Sequence, residues 1–195
     1  MATTTEMANA IEPPATRVQA ADDRVLAAED RGLRQRPSVR QARFDMLTGA
    51  RRRGPGLADM QREIDRANRG NGQLIVAYVD VNGLKATNDS EGHHAGDVIL
   101  KRMVNVVQNL CSYGSVVRLG SDEFVCTISD TTIENVRERF DEITAQLSLT
   151  PDDGSISVGF AQLVRGDSPL DLIDRANRGL IASRDTQSRN RRTGI

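Results

Sequence analysis

The sequence predicts an α+β fold, a ferredoxin-like βαββαβ sheet flanked by helices, on three observations. Apolar residues recur at helical spacing in four separate stretches. Four short apolar runs of β type lie between and around them. A tight acidic turn, Arg118-Leu119-Gly120-Ser121-Asp122-Glu123-Phe124, joins two of those runs as a hairpin. A right-handed crossover then sets the first strand parallel to the second, with the third antiparallel between them. That topology brings the end of the first strand, Asp80, to the same rim as Asp122 and Glu123.

Each element follows from local pattern. Pro55 suits a first helical turn, Leu57, Met60, Ile64 and Ala67 keep helical spacing, and Gly70 suits the stop. Gln73 to Val79 reads as a buried strand ending at Asp80, followed by a short turn-rich stretch. Ile99, Met103, Val106, Val107 and Leu110 mark one face of a second helix. Val116–Val117 and Phe124–Ile128 are the hairpin strands. Thr131-Thr132-Ile133-Glu134 offers a capping box to a helix carrying Ile133, Val136, Phe140, Ile143 and Leu147. Ile156, Val158 and Phe160 alternate as a half-buried strand. Ser168-Pro169 opens a last helix with Leu170, Ile173 and Leu180.

Composition narrows the partners. The 195 residues are 38 % hydrophobic, with 26 Lys+Arg against 27 Asp+Glu, room for one well-buried domain. A net charge of −1 and 3 % aromatics give no surface for bulk nucleic acid, so a small anionic ligand held by a metal fits better. Cys111 and Cys126 lack metal-type spacing and read as reduced packing residues. No apolar run reaches the roughly 18 residues of a membrane segment, and the first residues lack a secretion pattern, so a cytoplasmic location is expected. Residues 1–40 read as a flexible or partly helical arm, 41–185 as the domain and 186–195 as a basic tail. The echo Asp-Arg-Ala-Asn-Arg-Gly at 65–70 and 174–179 has unmatched flanks and reads as two similar helix ends.

The rim carries the chemistry. Asp122 and Glu123 at a hairpin tip offer hard oxygen ligands of the kind that hold Mg²⁺ beside phosphates. Val79-Asp80-Val81-Asn82-Gly83-Leu84-Lys85 leads off a strand into a turn whose amides and Lys85 suit phosphate oxygens. Asn88-Asp89 and Gly92-His93-His94-Ala95-Gly96-Asp97 follow. Taken singly, Asp80 and Asp122 are equally ordinary turn residues, Asn88-Asp89 an Asx turn, Asp97 a helix cap, and Lys85 and Arg118 solvated charges. Adjacent His93 and His94 point apart, which disfavours a shared metal.

These motifs, in this order, resemble the GGDEF family of nucleotide cyclases, with the naming motif in the degenerate form Gly120-Ser121-Asp122-Glu123-Phe124 (GSDEF). Asp45-Met46-Leu47-Thr48-Gly49 is similar to the family's opening motif, and the resemblance runs from about Asp45 to Arg184. It implies a nucleotidyl-cyclase palm in which Asp80, Asp122, Glu123 and the Val81 carbonyl hold Mg²⁺ or Mn²⁺. It further implies that Glu123, Asp122 and Lys85 act in catalysis and that Asn88 and Asp97 read guanine. Gly83, Leu84, Arg118, Gly120 and Ser121 would line the substrate. The implied reaction is that of a diguanylate cyclase: a homodimer condenses two GTP into cyclic di-GMP and two pyrophosphates.

Two departures bear on this. Ser121 stands where the motif has its second glycine, and a Cβ there costs about 1–2 kcal/mol if the backbone is left-handed. Ile181 stands where the final helix of the family carries a phosphate-binding lysine, leaving Arg178 or Arg184 to compensate. The family's product-inhibition motif would fall on Cys111 and Gly114 and is absent. A second reading is therefore a catalytically degenerate domain that binds GTP or metal and regulates a partner protein. A separate sensor or effector protein is an open partner in either case.

Overall fold

A computed structural model describes residues 42–110, 115–148 and 154–193. The segment read as an arm, residues 1–40, lies outside them, as do Cys111 and the rest of 111–114. The described elements run in order β1 (Arg51–Arg52), α1 (Arg53–Gly70), β2 (Leu74–Asn82), α2 (Leu84–Glu91), α3 (His93–Leu110), β3 (Val116–Arg118), β4 (Glu123–Ser129), α4 (Ile133–Ser148), β5 (Ser155–Gln162) and α5 (Pro169–Thr193). The last helix continues through the residues read as the start of a tail.

The five strands form one sheet in the order β1-β3-β4-β2-β5. β4 lies between β3 and β2 and is antiparallel to both, which makes β2 and β3 parallel as the crossover rule requires. β5 pairs antiparallel on the other side of β2, and the two-residue β1 pairs parallel to β3 at the far edge. β2 is an interior strand, between β4 and β5, and buried on both faces, which is why Leu74-Ile75-Val76-Ala77-Tyr78-Val79 reads as a continuous run instead of an alternation.

Strand alternation sorts β2 between two cores. Ile75, Ala77, Val79 and Val81 face α3 and α4, packing with Met103, Val104, Val107, Phe140 and Ile143. Leu74, Val76 and Tyr78 face the other way, against Met60 and Ile64 of α1 and Leu172, Ala176 and Leu180 of α5. Phe140 meets Phe160 edge to face at 5.5 Å. The helix α5 rides directly on β5 at Gly159, where an added Cβ would lie 2.1 Å from the Ala176 carbonyl oxygen. Leu170 is 52 % exposed, and Leu172, which the spacing passed over, is buried in that turn together with Ile173.

Several local signals resolve differently from their sequence reading. Helix α1 does end at Gly70, but its cap is Asn71, whose left-handed φ of 51° lets its N–H reach the Ala67 carbonyl. The cap of α4 is Thr132, whose hydroxyl accepts from the Asn135 N–H at 3.3 Å, so Glu134 takes no part in a capping box. At α5 the reciprocal box does form: Ser168 Oγ accepts from the Asp171 N–H, and Asp171 Oδ2 accepts from the Ser168 N–H at 2.9 Å. The stretch after Asp80 is helix α2. Its residues are polar except Leu84 and Ala86, so no apolar period announced it, and it is seeded by Gly83 at φ 72°, a conformation that costs glycine nothing.

Candidate active site at the sheet rim

The opening motif and the hairpin are one structural unit. Asp45 Oδ1 accepts from the Thr48 N–H at 3.0 Å and the Thr48 hydroxyl at 2.7 Å, closing the turn that precedes β1. The same oxygen accepts from Arg118 Nη1 at 2.8 Å. Burial alone would push the Asp45 carboxyl up, but the Thr48 hydrogen bonds and Arg118 outweigh it and hold the group below its ordinary value. Arg118 also donates through Nε to the Gly120 carbonyl at 3.1 Å and through Nη2 to the Ser121 carbonyl at 2.8 Å. The sequence reading put Arg118 with the substrate-binding residues; its guanidinium is committed to Asp45 and to the carbonyls of the turn, which it clasps.

Register brings the carboxylates together. Asp80 of β2 and Glu123 of β4 are direct cross-strand partners, and Val81 N–H donates to the Asp122 carbonyl at 3.0 Å, extending the ladder into the turn. Directly opposed residues have Cβ atoms about 4.5–5.5 Å apart, within reach of a shared cation. Each carboxylate has an internal donor. Asp80 Oδ1 accepts from Arg184 of α5, which also donates to Asn82 Oδ1 at 2.7 Å. Glu123 Oε1 accepts from the Tyr78 hydroxyl at 2.7 Å. Asp122 Oδ1 accepts from Ser121 Oγ at 2.7 Å. Among the described residues, no three His, Cys, Asp or Glu side chains are gathered as a metal cluster. The donor set is nonetheless all hard oxygen on two adjacent strands, which suits Mg²⁺ or Mn²⁺.

Ser121 proves unstrained. Among the described residues, the only non-glycine positions with positive φ are Asn71 and Asp130, so the backbone cost expected for a Cβ in the left-handed region does not arise at Ser121. Gly120 is the constrained position: an added Cβ would lie 2.6 Å from Glu123 Oε2.

The other sequence-predicted residues sit around this rim. Gly83 starts α2, and Lys85 is exposed on its first turn. Leu84 is 7 % exposed and packed in the core, so only its backbone faces the turn. Asn88 lies within α2, not in an Asx turn, and its Oδ1 is buried without a hydrogen-bond partner against Gly96, next in sequence to Asp97. His93 and His94 open α3, both exposed. Ile181 is 51 % exposed and away from the core. Arg184, three residues on, is the α5 cation bonded at the rim, while Arg178 is exposed one turn earlier.

Sequence reasoning missed Tyr78 and Asn82 outright. A signal existed for both, since residues 78, 80 and 82 share one face of β2 by alternation, but nothing local says which long-range group meets them. Burial, then the Glu123 hydrogen bond and the charges of Glu123, Asp80 and Asp122, push the Tyr78 hydroxyl far above its ordinary value, so it stays a proton donor.

This geometry, a strand-end aspartate facing an acidic hairpin across a mixed sheet with helices on both faces, defines an α+β domain of the palm type with a carboxylate-rich rim. The chain belongs to the GGDEF family: the profile described as "Diguanylate cyclase, GGDEF domain" matches residues 42–191. Diguanylate cyclase VdcA of Vibrio cholerae serotype O1 is 30 % identical over 163 residues, covering 78 % of this chain and 47 % of that protein. Diguanylate cyclase DosC of Escherichia coli K12 is 31 % identical over 171 residues, covering 83 % of this chain and 37 % of that protein. The chain thus spans less than half the length of either relative. Among solved structures, the GGDEF domain of DgcB from Caulobacter crescentus in complex with c-di-GMP superposes with a TM-score of 0.70 at 24 % identity, covering 74 % of this chain and 91 % of that one. At that identity the likeness speaks for the fold.

Proposed function

We propose that this chain is a diguanylate cyclase: two protomers, each holding one GTP, condense them into cyclic di-GMP with release of two pyrophosphates. The observation that carries the reading is the register of β2 against β4, which opposes Asp80 to Glu123 and pins Asp122 to Val81 at one rim. In each half-reaction a ribose 3′-hydroxyl attacks the α-phosphate held by the other protomer, the new phosphodiester forms as the bond to pyrophosphate breaks, and the hydroxyl proton is lost. Asp80, Asp122, Glu123 and the Val81 carbonyl would hold Mg²⁺ or Mn²⁺, which when bound supplies neutralisation of phosphate charge. Glu123 serves at that site or in activating the hydroxyl.

The remaining residues position the nucleotide. Asn88 Oδ1, a buried acceptor lacking a donor, and the Asp97 carboxylate are two acceptors suited to the N1 and N2 donors of guanine. A buried acceptor left unpaired costs about 1–3 kcal/mol, a deficit that a base N–H offsets. Phosphate oxygens fall to the start of α2, at Gly83 and Leu84, with Lys85 beside them. Arg184 takes the cationic place on α5 that Ile181 cannot fill. Catalysis requires the homodimer, since each protomer brings one nucleotide. No helix among the described residues is long and apolar enough to cross a membrane; a cytoplasmic location, where GTP is available, fits this reading.

The test is incubation of purified protein with GTP and Mg²⁺, followed by nucleotide separation. Cyclic di-GMP that disappears in Glu123→Gln supports the reading, and a turnover rate per protomer that rises with protein concentration supports the dimer. A second reading, a degenerate domain that binds GTP or metal and regulates a partner, rests on the Arg184–Asp80 pair, which engages the principal metal aspartate. GTP binding without product at every protein concentration selects it.

A further inference from the structure

Tyr78 is 5 % exposed, in the centre of β2, two residues before Asp80 and on the same face. A tyrosine buried in an apolar core needs a partner for its hydroxyl. Here the partner is the Glu123 carboxylate, one strand over and one step nearer the rim, at 2.7 Å. The other Glu123 oxygen, Oε2, lies against Gly120, where even one added carbon would sit at 2.6 Å. The carboxylate is therefore bonded through Oε1 to the phenol, while Oε2 sits close beside the Gly120 backbone. The phenol is braced in turn by the core formed with Val76, Val125 and Leu180.

We infer that Tyr78 is a positioning residue for Glu123: it fixes the orientation in which that carboxylate meets a divalent cation and the reacting hydroxyl. The inference rests on the proposed cyclase reading for its catalytic consequence, but its cation-binding consequence does not. One Oε1 lone pair is spent on the phenol, which leaves Oε2 and the second Oε1 lone pair at a set angle. A glutamate side chain without that bond rotates freely at the rim, and the cation must order it on binding. Partners that orient a metal-binding carboxylate are worth about tenfold or more in metal affinity or rate.

The experiment compares wild type, Tyr78→Phe and Tyr78→Leu by Mn²⁺ titration, thermal unfolding and steady-state kinetics. The chain has no Trp and two tyrosines, Tyr78 and Tyr113, so in a Tyr113→Phe background the near-ultraviolet tyrosine spectrum reports Tyr78 alone. Expected results are a tyrosine difference spectrum on adding Mn²⁺ and about tenfold weaker Mn²⁺ binding in Tyr78→Phe. The melting curve of Tyr78→Phe falls by only a few degrees, as loss of one hydrogen bond to a carboxylate predicts, and kcat falls about tenfold with the GTP KM held within twofold. Tyr78→Phe matching wild type in Mn²⁺ affinity while Tyr78→Leu impairs both binding and folding would reduce Tyr78 to a packing residue and overturn the inference. Wild type that takes up no Mn²⁺ overturns it too. Wild type that binds Mn²⁺ through Tyr78-dependent ordering yet makes no cyclic dinucleotide refutes the cyclase reading and leaves the positioning role intact.

Discussion

The two glycine positions of the hairpin motif should answer oppositely to substitution. At Gly120 the backbone has no positive φ, so alanine meets no conformational strain; its entire cost is the 2.6 Å approach of the new Cβ to Glu123 Oε2. Relief requires Glu123 to swing away, which breaks its 2.7 Å bond to the Tyr78 hydroxyl. A hydrogen bond to a charged group contributes about 1.5–3 kcal/mol, towards the lower end at a partly exposed rim. Alanine recovers about 0.4–1 kcal/mol by restricting the unfolded chain. The net is a loss of about 1 kcal/mol, or a fall of about 3 °C in Tm for a domain of this size. Turnover should fall at least tenfold, because the displaced group is Glu123 itself. Ser121→Gly removes only the exposed Ser121 Oγ to Asp122 bond and should change stability by less than about 0.5 kcal/mol, with no gain in activity. Paired melting curves and GTP turnover decide the matter. Wild-type turnover in Gly120→Ala, or a several-fold gain in Ser121→Gly, would refute this account of the motif.

Three further outcomes follow from the packing and the charges. Gly159→Ala should lose about 3 kcal/mol and lower Tm by roughly 6–12 °C, since its Cβ meets the backbone of α5 at Ala176 and Leu180, which cannot yield as a side chain does; an unchanged melt would contradict the packing of α5 on β5. Asp45 is held below its ordinary value of 3.8, so its stabilising contribution is full above that value and is lost as the pH falls through the lower folded one. The fall in Tm on acidification from about pH 5 to pH 3 should accordingly be smaller in Asp45→Asn, which keeps the Thr48 acceptor and removes the charge. Arg184→Ala should tighten Mn²⁺ binding about threefold by freeing Asp80, and raise the KM for GTP; isothermal titration and kinetics read the two, and weaker Mn²⁺ binding would mean the guanidinium supports the cation site instead of competing for it.

The sequence alone settled what depends on period and chain order. The β runs, the amphipathic faces of α1, α3 and α4, and the crossover that lays β4 between β2 and β3 all follow from apolar spacing and handedness, and together they place Asp80 opposite the hairpin tip. Helix α2 escaped because polar residues leave no period to read. The first helix does end at Gly70, with Asn71 as its left-handed cap, whereas the capping box at Thr131 misled because adjacent threonines could play the same terminal part and only hydrogen-bond geometry chooses Thr132. The tertiary structure alone decided which groups the acidic side chains meet: Tyr78 on Glu123, Arg184 on Asp80, and Arg118 on Asp45. Those choices join residues 45 to 104 positions apart. Alternation fixes the face from which a side chain projects, but the group it meets across the sheet depends on strand register and on where a distant helix crosses, and no local pattern encodes either.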